Sequence, residues 1–219
     1  MNAHPEPIQD WPAADGAASA APDDSAKRRQ ILQGARRVFL STGFDGASMN
    51  EVARAAGVSK GTLYVYFASK EDLFAELLRD EKREQAEQLC RFDDDGPDVG
   101  ANLRAFAGRF MELLLRPDSL AHLRTVMAVA AKFPEIGRAY YEAGPGTGRR
   151  RLAAYLARQA DGGRLAVPDP SLAAQQFFDL CKADVFLEVL LCVRPPPTEA
   201  EIAAHVGRAV DVFLGIYAA

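Results

Sequence analysis

Apolar residues recur every three or four positions over most of the chain beyond residue 24, which is the spacing of amphipathic α-helices. A clear example is the C-terminal stripe Ile202, Val206, Val210, Phe213 and Tyr217. The alternation of apolar and polar residues that predicts strands is not sustained anywhere, and no Asn-Gly hairpin signal occurs. The pattern therefore predicts an all-α protein of about nine helices.

Capping signals divide the first half of the chain into short helices. Ser48 with Glu51 three residues later is a capping box, and Gly57 is typical of the position just past a helix end. Ser59 and Ser69 are also candidate N-caps. The predicted helices cover about 25–42, 48–57, 59–67 and 69–92, and DDDGPD at 93–98 is a predicted loop.

Longer helical patterns fill the second half. They cover about 99–115 and 118–132, a segment from Pro134 that is interrupted near 144–148, a helix at 170–193, and a last helix that begins at the capping box of Thr198 and Glu201. The stretches DGG at 161–163 and RPPP at 194–197 are predicted breaks.

Composition and periodicity together predict four regions. Residues 1–24 are rich in Ala, Pro, Asp and Gly without periodicity, which predicts a disordered tail. Residues 25–70 form a three-helix module with a helix-turn-helix, and 71–92 a connecting helix. Residues 93–219 form a larger helical domain, for which we predict ligand binding and dimerisation.

The charge is distributed unevenly. The chain has a formal net charge of −4, yet residues 25–70 contain eight Lys and Arg against two acidic residues, which gives +6 and leaves −10 for the remainder. A basic module on an acidic body predicts a polyanionic partner for one end only, double-stranded DNA in particular. The alternative is that these cations only solvate helix faces.

The second helix of a helix-turn-helix lies in the major groove and reads base edges. At about 100° per residue, Leu63 and Phe67 share the face that packs inward. Gly61, Thr62, Tyr64 and Val65 then face the groove, while Tyr66, Lys60, Ser48 and Lys70 are candidate phosphate contacts, Lys60 being a candidate for guanine as well. Each has a plainer explanation as a cap or as cover for the core.

The stretch SMNEVARAAGVSKGTLYVYF through SKEDLF, with RRVFLSTGFDGAS before it, resembles the TetR family of bacterial transcriptional regulators over about residues 27–78. The resemblance implies an all-helical homodimer that represses transcription and releases DNA when a small molecule binds its larger domain. Val65 departs from the aromatic residue of many relatives. The segments FPEIGRAYYEAG and RRRLAAYL resemble the AefR-like subgroup. The DNA contacts that the resemblance implies are Ser48, Met49, Asn50, Lys60, Gly61, Thr62, Tyr64, Val65, Tyr66 and Lys70.

The helix at 170–193 is apolar nearly all round between Val185 and Val193, so it needs cover on two sides. A second copy of the chain is the simplest cover, because two-fold dimers are the commonest oligomers. Such a dimer would read a roughly palindromic operator. The alternative is a helix buried within one subunit. The predicted interface residues are Val185, Leu187, Val189, Leu191, Val206, Val210 and Phe213.

Aromatic and thioether side chains are concentrated in the middle helices. They suit a cavity for a small apolar or aromatic effector, although a filled core would need the same residues. The candidate cavity residues are Phe106, Phe110, Met111, Met127, Phe133, Tyr140, Tyr141, Phe177 and Phe178.

Other functions find little support in the sequence. No apolar run is long enough to span a bilayer, no signal peptide is visible, and three cysteines without C-x-x-C spacing fit a reducing cytoplasm. His4, His122 and His205 lack ligand spacing, so we expect no metal and no cofactor. We find no nucleophile elbow, phosphate loop or carboxylate pair, and so expect no enzyme.

The sequence therefore predicts a cytoplasmic DNA-binding repressor that a small molecule releases from a palindromic operator. One alternative is an activator or a regulator without a ligand. Another, of a different class, is a helical enzyme or adaptor whose helix-turn-helix motif is vestigial.

Overall fold

The structure, a computed structural model, describes residues 22–90, 92, 96 and 98–219. Its α-helical segments are α1 (Pro22–Gly46), α2 (Met49–Ala56), α3 (Lys60–Tyr66), α4 (Lys70–Leu89), α5 (Val99–Leu114), α6 (Pro117–Val129), α7 (Pro134–Tyr141), α8 (Thr147–Asp161), α9 (Pro170–Leu190) and α10 (Glu199–Tyr217).

A π-helical turn, Glu142–Gly146, joins α7 to α8 without a break, so the described part of the chain contains nine continuous helices. The interruption predicted near 144–148 is this turn, which accommodates Pro145 inside a continuing helix. The one β-bridge within these ranges pairs Leu165 with Ala218. The prediction of an all-α fold with about nine helices is confirmed.

Both ends of α1 lie outside the predicted range. Most of the predicted tail, residues 1–21, falls outside the described residues, whereas 22–24 are helical, and a proline suits the first position of a helix. Gly43 interrupts α1 close to its predicted end: its φ of 71° and ψ of 177° are non-helical, and one short helical segment follows, up to Gly46.

Two other helices are shorter than predicted. α4 ends at Leu89 instead of about residue 92, and α9 ends at Leu190 instead of Val193. In α9 the cause is local, since Cys192 has a left-handed φ of 60°. α9 also contains a break at Ala183, with a φ of 27° and a ψ of −145°. The sequence contains no glycine or proline near that position to signal it.

Two apolar cores hold the subunit together. The N-terminal core contains side chains of α1, α2, α3 and α4, and also Val126, Val129, Ile136 and Ala139 from α6 and α7. The second core is formed by α5, α8, α9 and α10 around Phe106, Phe177 and Phe213. α4 and α6 contribute side chains to both cores, whereas α7 contributes to the N-terminal core.

Candidate functional site

The turn between α2 and α3 is fixed by hydrogen bonds at both helix ends. Gly57 has a left-handed φ of 65° and ψ of 38°, which costs glycine little, and its N–H donates to the carbonyl of Arg54. The Val58 N–H donates to Ala53 O at 3.0 Å. Ser59 caps α3, accepting from the Thr62 N–H at 3.0 Å. α3 is therefore held at a defined angle to α2.

α3 has one buried face and one exposed face. Leu63 and Phe67 are buried in the N-terminal core, where they join Val52, Ala53 and Ala56 of α2. On the opposite side Tyr64 is 45% exposed and Val65 is 82% exposed. Two large side chains thus protrude into solvent from a helix whose own packing fixes their direction, which is typical of an interaction surface.

The remaining predicted contacts of α3 surround these two side chains. Lys60 and Gly61 are exposed, Thr62 and Tyr66 are half-buried, and the Lys60 ammonium lies 5.9 Å from the centre of the Tyr64 ring. A Cβ added to Gly61 would meet only Ser59 Oγ, at 3.8 Å. The subunit itself therefore does not require a glycine at this position.

The start of α2 presents the other predicted contacts. Ser48 and Asn50 are exposed, and Met49 is half-buried against the N-terminal core. The Ser48 hydroxyl donates to Glu51 Oε2 at 2.7 Å, and this bond and that from the Ser48 N–H lower the pKa of Glu51. The hydroxyl has one proton, so it must leave Glu51 before it can donate to a phosphate.

Lys70 has a different environment from the one predicted. Its ammonium donates to the carbonyls of Phe44, Asp45 and Ala47 at 2.7, 3.4 and 3.1 Å, and lies 4.5 Å from the centre of the Phe44 ring. An ammonium group has three hydrogens, and all are used here. The structure therefore favours an internal role for Lys70, at the end of α1, over the predicted phosphate contact.

The residues that position α2 on α1 were not predicted from the sequence. Gln30 Nε2 donates to Ala56 O at 2.7 Å, and Arg37 donates to Ala55 O. Gly34 lies so close to α2 that an added Cβ would be 2.6 Å from Ala56 Cβ and 2.7 Å from two backbone atoms of Ala56. A glycine within the predicted helix, with no capping role, was the available signal.

A cavity of about 420 Å³ lies in the larger domain, between α4, α5, α6, the π turn, α8 and α9. Its volume is within the range of small-molecule sites. Four of the predicted cavity residues line it: Phe110, Tyr140, Tyr141 and Phe178. The rings of Phe110 and Phe178 meet edge to face at 4.8 Å.

The other predicted cavity residues lie elsewhere, and these predictions are corrected. Phe106, Met111 and Phe177 are fully enclosed in the second core, as the filled-core alternative required. Met127 is 60% exposed on α6. Phe133 packs in the N-terminal core, with its ring 5.8 Å from that of Phe44. Helical spacing identifies apolar positions but does not distinguish a cavity wall from a packed core.

The polar lining of the cavity was not predicted. Lys82 of α4 is 7% exposed, and its ammonium donates to Gln85 Oε1 at 2.9 Å and lies 4.8 Å from the centre of the Tyr140 ring. Burial lowers the pKa of Lys82, against the opposing fields of Glu81 and Asp118. Burial also raises the pKa of Tyr140 to about 12, so this phenol stays neutral at pH 7.

The predicted dimer interface is partly wrong. Val189, Val206, Val210 and Phe213 are buried inside the subunit, so they have no surface to offer a second copy. The stripe on α10 that suggested them packs on the second core instead. Val185 is half-buried against the same core. Leu187 and Leu191, the other two predicted residues, are exposed, as are Leu172 at the start of α9, Val193 just past its end, and Val212 and Ile216 on α10.

Within the described ranges, no cluster of three or more His, Cys, Asp or Glu side chains is arranged to hold a metal ion. His122 contacts Glu81, His205 contacts the carbonyl of Cys181, and His4 lies outside those ranges. Helices long and apolar enough to cross a membrane are also absent from the part of the chain that was described.

Comparison with protein families gives matches at both ends of the chain. The model for bacterial regulatory proteins of the tetR family matches residues 31–77. The model for the C-terminal domain of AefR-like transcriptional repressors matches residues 101–219, which is more than half of the chain.

Known proteins and solved structures agree with this. The HTH-type transcriptional repressor Rv1474c of Mycobacterium tuberculosis is 29% identical over 163 residues, 71% of this chain and 78% of that protein. A protein from Mesorhizobium loti assigned to the TetR family superimposes with a TM-score of 0.79 at 29% identity, covering 89% of this chain and 98% of that one. The flavonoid-responsive regulator FrrA does so with a TM-score of 0.72 at 33% identity, over the same shares.

An all-helical subunit with an exposed recognition helix at one end and a cavity in its larger domain defines a class of DNA-binding transcription regulators. Within that class the chain belongs to the TetR family, and its C-terminal domain is AefR-like. It is a DNA-binding transcriptional repressor by this membership, in a family of transcription regulators rather than enzymes.

Proposed function

We propose that this repressor binds a palindromic operator as a homodimer and leaves it when a small apolar or aromatic molecule enters the cavity. DNA contact is assigned to Ser48, Met49 and Asn50 at the start of α2, and to Lys60, Gly61, Thr62, Tyr64, Val65 and Tyr66 of α3. The observation that carries the proposal is the exposure of Tyr64 and Val65 on a short helix that is anchored to the core by the fully buried Leu63.

Dimerisation is proposed through the outer faces of α9 and α10. Leu187 on α9 and Leu191 just past its end, with Val212 and Ile216 on α10, are large apolar side chains exposed in the single subunit. Exposed apolar side chains on two helices that pack side by side are typical of a subunit interface. Two copies joined there would present two α3 helices to successive half-sites, in the cytoplasm where bacterial DNA is located.

Effector binding is proposed in the cavity of about 420 Å³, whose aromatic lining includes Phe110 and Phe178. The similar protein FrrA is flavonoid-responsive, and flavonoids are aromatic compounds of a size that suits such a site. This similarity supports an aromatic effector over regulation without a ligand.

The test begins with selection of genomic DNA fragments on the purified protein, from which a shared palindrome gives the operator. Binding is then measured by fluorescence anisotropy with Tyr64→Ala and Gly61→Ala. We expect each substitution to weaken operator binding about tenfold or more, because a rigid groove contact is lost or the close approach of the backbone is blocked. Met127→Ala is the control, since Met127 is 60% exposed on α6 and belongs neither to α3 nor to the cavity lining.

Operator affinity that is unchanged in Tyr64→Ala and Gly61→Ala, with circular dichroism showing both folded, would contradict the assignment of the recognition helix. A shared site without two-fold symmetry would contradict the dimeric reading of DNA. Reporter transcription with and without aromatic compounds then separates a ligand-released repressor from an activator and from a ligand-independent regulator.

A further inference from the structure

The buried ammonium of Lys82 is an unusual feature of the cavity. Among the described residues its hydrogen-bonding partner is a neutral amide, Gln85 Oε1, and its other close neighbour is the face of the Tyr140 ring. The stem of Lys82 is held by the π turn, where a Cβ added to Gly144 would be 3.1 Å from Lys82 Cδ. A desolvated cation is thus fixed at the cavity wall without a carboxylate of its own, which is a costly arrangement for a subunit alone.

The nearest acidic groups are engaged by other cations. Glu81 is paired with Arg36 at 3.1 Å and with His122 at 3.0 Å. Asp118 is paired with Arg116 at 2.9 Å. Both carboxylates act on Lys82 through their fields, but neither forms an ion pair with it in the described part of the chain. The charge of Lys82 is therefore only partly balanced.

The other charged groups of the cavity add to this imbalance. Lys182 is paired with Asp179 at 2.8 Å, so these two residues cancel. Arg149 lines the cavity and has no ion-pair partner within the described ranges. Apart from these groups the wall is largely aliphatic and aromatic, with Leu113, Leu114, Leu123 and Phe186 beside the two phenylalanines already named. The cavity is thus an apolar space with a net positive charge.

We infer that the molecule bound in this cavity is an amphipathic organic anion, with an aromatic or apolar body and one carboxylate or equivalent acidic group that pairs with Lys82. The inference rests on the proposed role of the cavity as the effector site and specifies the chemical class of the effector. The body packs on Phe110 and Phe178, and the acidic group takes the ammonium hydrogens that Gln85 leaves unused.

The test uses 2-naphthoate and 2-naphthamide, which have the same ring system and nearly the same shape but differ in charge. Binding of each to the full-length protein is measured by isothermal titration calorimetry at pH 7.5. We expect naphthoate to bind the unmodified protein about tenfold to a hundredfold more tightly than naphthamide. Lys82→Met should remove this preference, because methionine fills the space of the lysine stem without its charge. Lys132→Met, on an exposed lysine outside the cavity, should retain it.

Equal binding of the two compounds by the unmodified protein, or no measurable binding of naphthoate, would overturn the inference. A preference for naphthoate that survives in Lys82→Met would also overturn the inference. If the preference is lost in Arg149→Met and kept in Lys82→Met, the anion pairs with Arg149 instead. Comparison of the two compounds on the unmodified protein needs no variant, so it stands even if Lys82→Met folds poorly.

The proposed function fails separately from this inference. A neutral aromatic compound that releases the operator from both the unmodified protein and Lys82→Met would refute the inference that the effector is an anion. It would leave the proposal of ligand-released repression intact. Naphthoate that binds through Lys82 without changing operator affinity would leave the anion site intact and refute its role as the effector site.

Discussion

Gly34 provides a strong test of how the helix-turn-helix is held in place. It lies in the middle of α1, where alanine ordinarily stabilises a helix by about 0.5–1 kcal/mol relative to glycine. Helix propensity alone therefore predicts that Gly34→Ala makes the protein more stable. We expect the opposite, because the new methyl group would occupy the position of Ala56 in α2.

The magnitude follows from the distances. An added Cβ would lie 2.6 Å from Ala56 Cβ and 2.7 Å from its Cα and N, whereas carbon atoms in contact are separated by roughly 3.5–4.0 Å. The deficit is about 1 Å, and it falls partly on backbone atoms that cannot rotate away. Overpacking of this kind costs about 1–3 kcal/mol, which exceeds the gain in helix propensity.

The assay is thermal unfolding followed by circular dichroism at one fixed protein concentration, because the melting temperature of a dimer depends on concentration. We expect Gly34→Ala to lower the melting temperature by about 2–6 °C, since 1 kcal/mol corresponds to about 2–4 °C for a chain of this size. Gly108→Ala is the matched control: Gly108 lies in α5, and a Cβ there meets nothing within 4 Å.

A melting temperature of Gly34→Ala equal to or above that of the unmodified protein would refute the reasoning, because the close approach of α1 and α2 would then not constrain the side chain. The control should melt at the same temperature or slightly higher. Operator affinity should fall in Gly34→Ala as well, since α2 carries the turn that positions α3.

Two further predictions concern charged side chains of α4. Lys70→Met should lower the free energy of unfolding by about 1–2 kcal/mol, because three carbonyls at the end of α1 lose their donor. Urea titration measures this change. If Lys70 instead contacts a phosphate, the slope of log K for operator binding against log salt concentration should become shallower by about 0.9 in the variant. Burial alone would raise the pKa of Glu76, but bonds from Arg28 and Arg79 hold it below its ordinary value of 4.5. The stabilisation is therefore present above pH 4.5 and is lost as the pH falls through the lower folded pKa. Glu76→Gln should be less stable than the unmodified protein by about 1 kcal/mol at pH 7, and equally stable at low pH, by urea titrations at both pH values; a difference that persists in acid would contradict this.

Features set by local chemistry could be predicted from the sequence. The capping boxes at Ser48 and Thr198 are both present, and Gly57 adopts the left-handed conformation expected of a glycine at a helix end. These signals involve residues three or four positions apart, so the sequence contains both partners of each interaction. The order of helices in the N-terminal module, and the buried face of α3, followed from the same local rules.

Features set by contacts between distant segments could not be predicted. The stripe on α10 has the same spacing whether it packs on its own subunit or on a second one, and only the neighbouring helices show that it faces inward. The same holds for Phe106 and Phe110, two helical neighbours of which the first is sealed in the core and the second lines the cavity. Lys82 looks like a solvated lysine in the sequence, because the residues that pack against its side chain, Tyr140 and Gly144, are about 60 positions away.

The two proposed activities meet on consecutive residues of α4. Lys82 lines the cavity, while Glu81 pairs with Arg36 of α1 and with His122 of α6. An anion that binds the Lys82 ammonium would compete with the fields of Glu81 and Asp118, the two acidic groups that act on Lys82 among the described residues. A displacement of the α4 turn that contains Glu81 and Lys82 would therefore act directly on the ion pair between Glu81 and Arg36 of α1, the helix on which α2 packs. Because Arg36 is about half exposed, this pair is weak by itself, and the coupling must rely mainly on the apolar contacts that α4 makes in both cores.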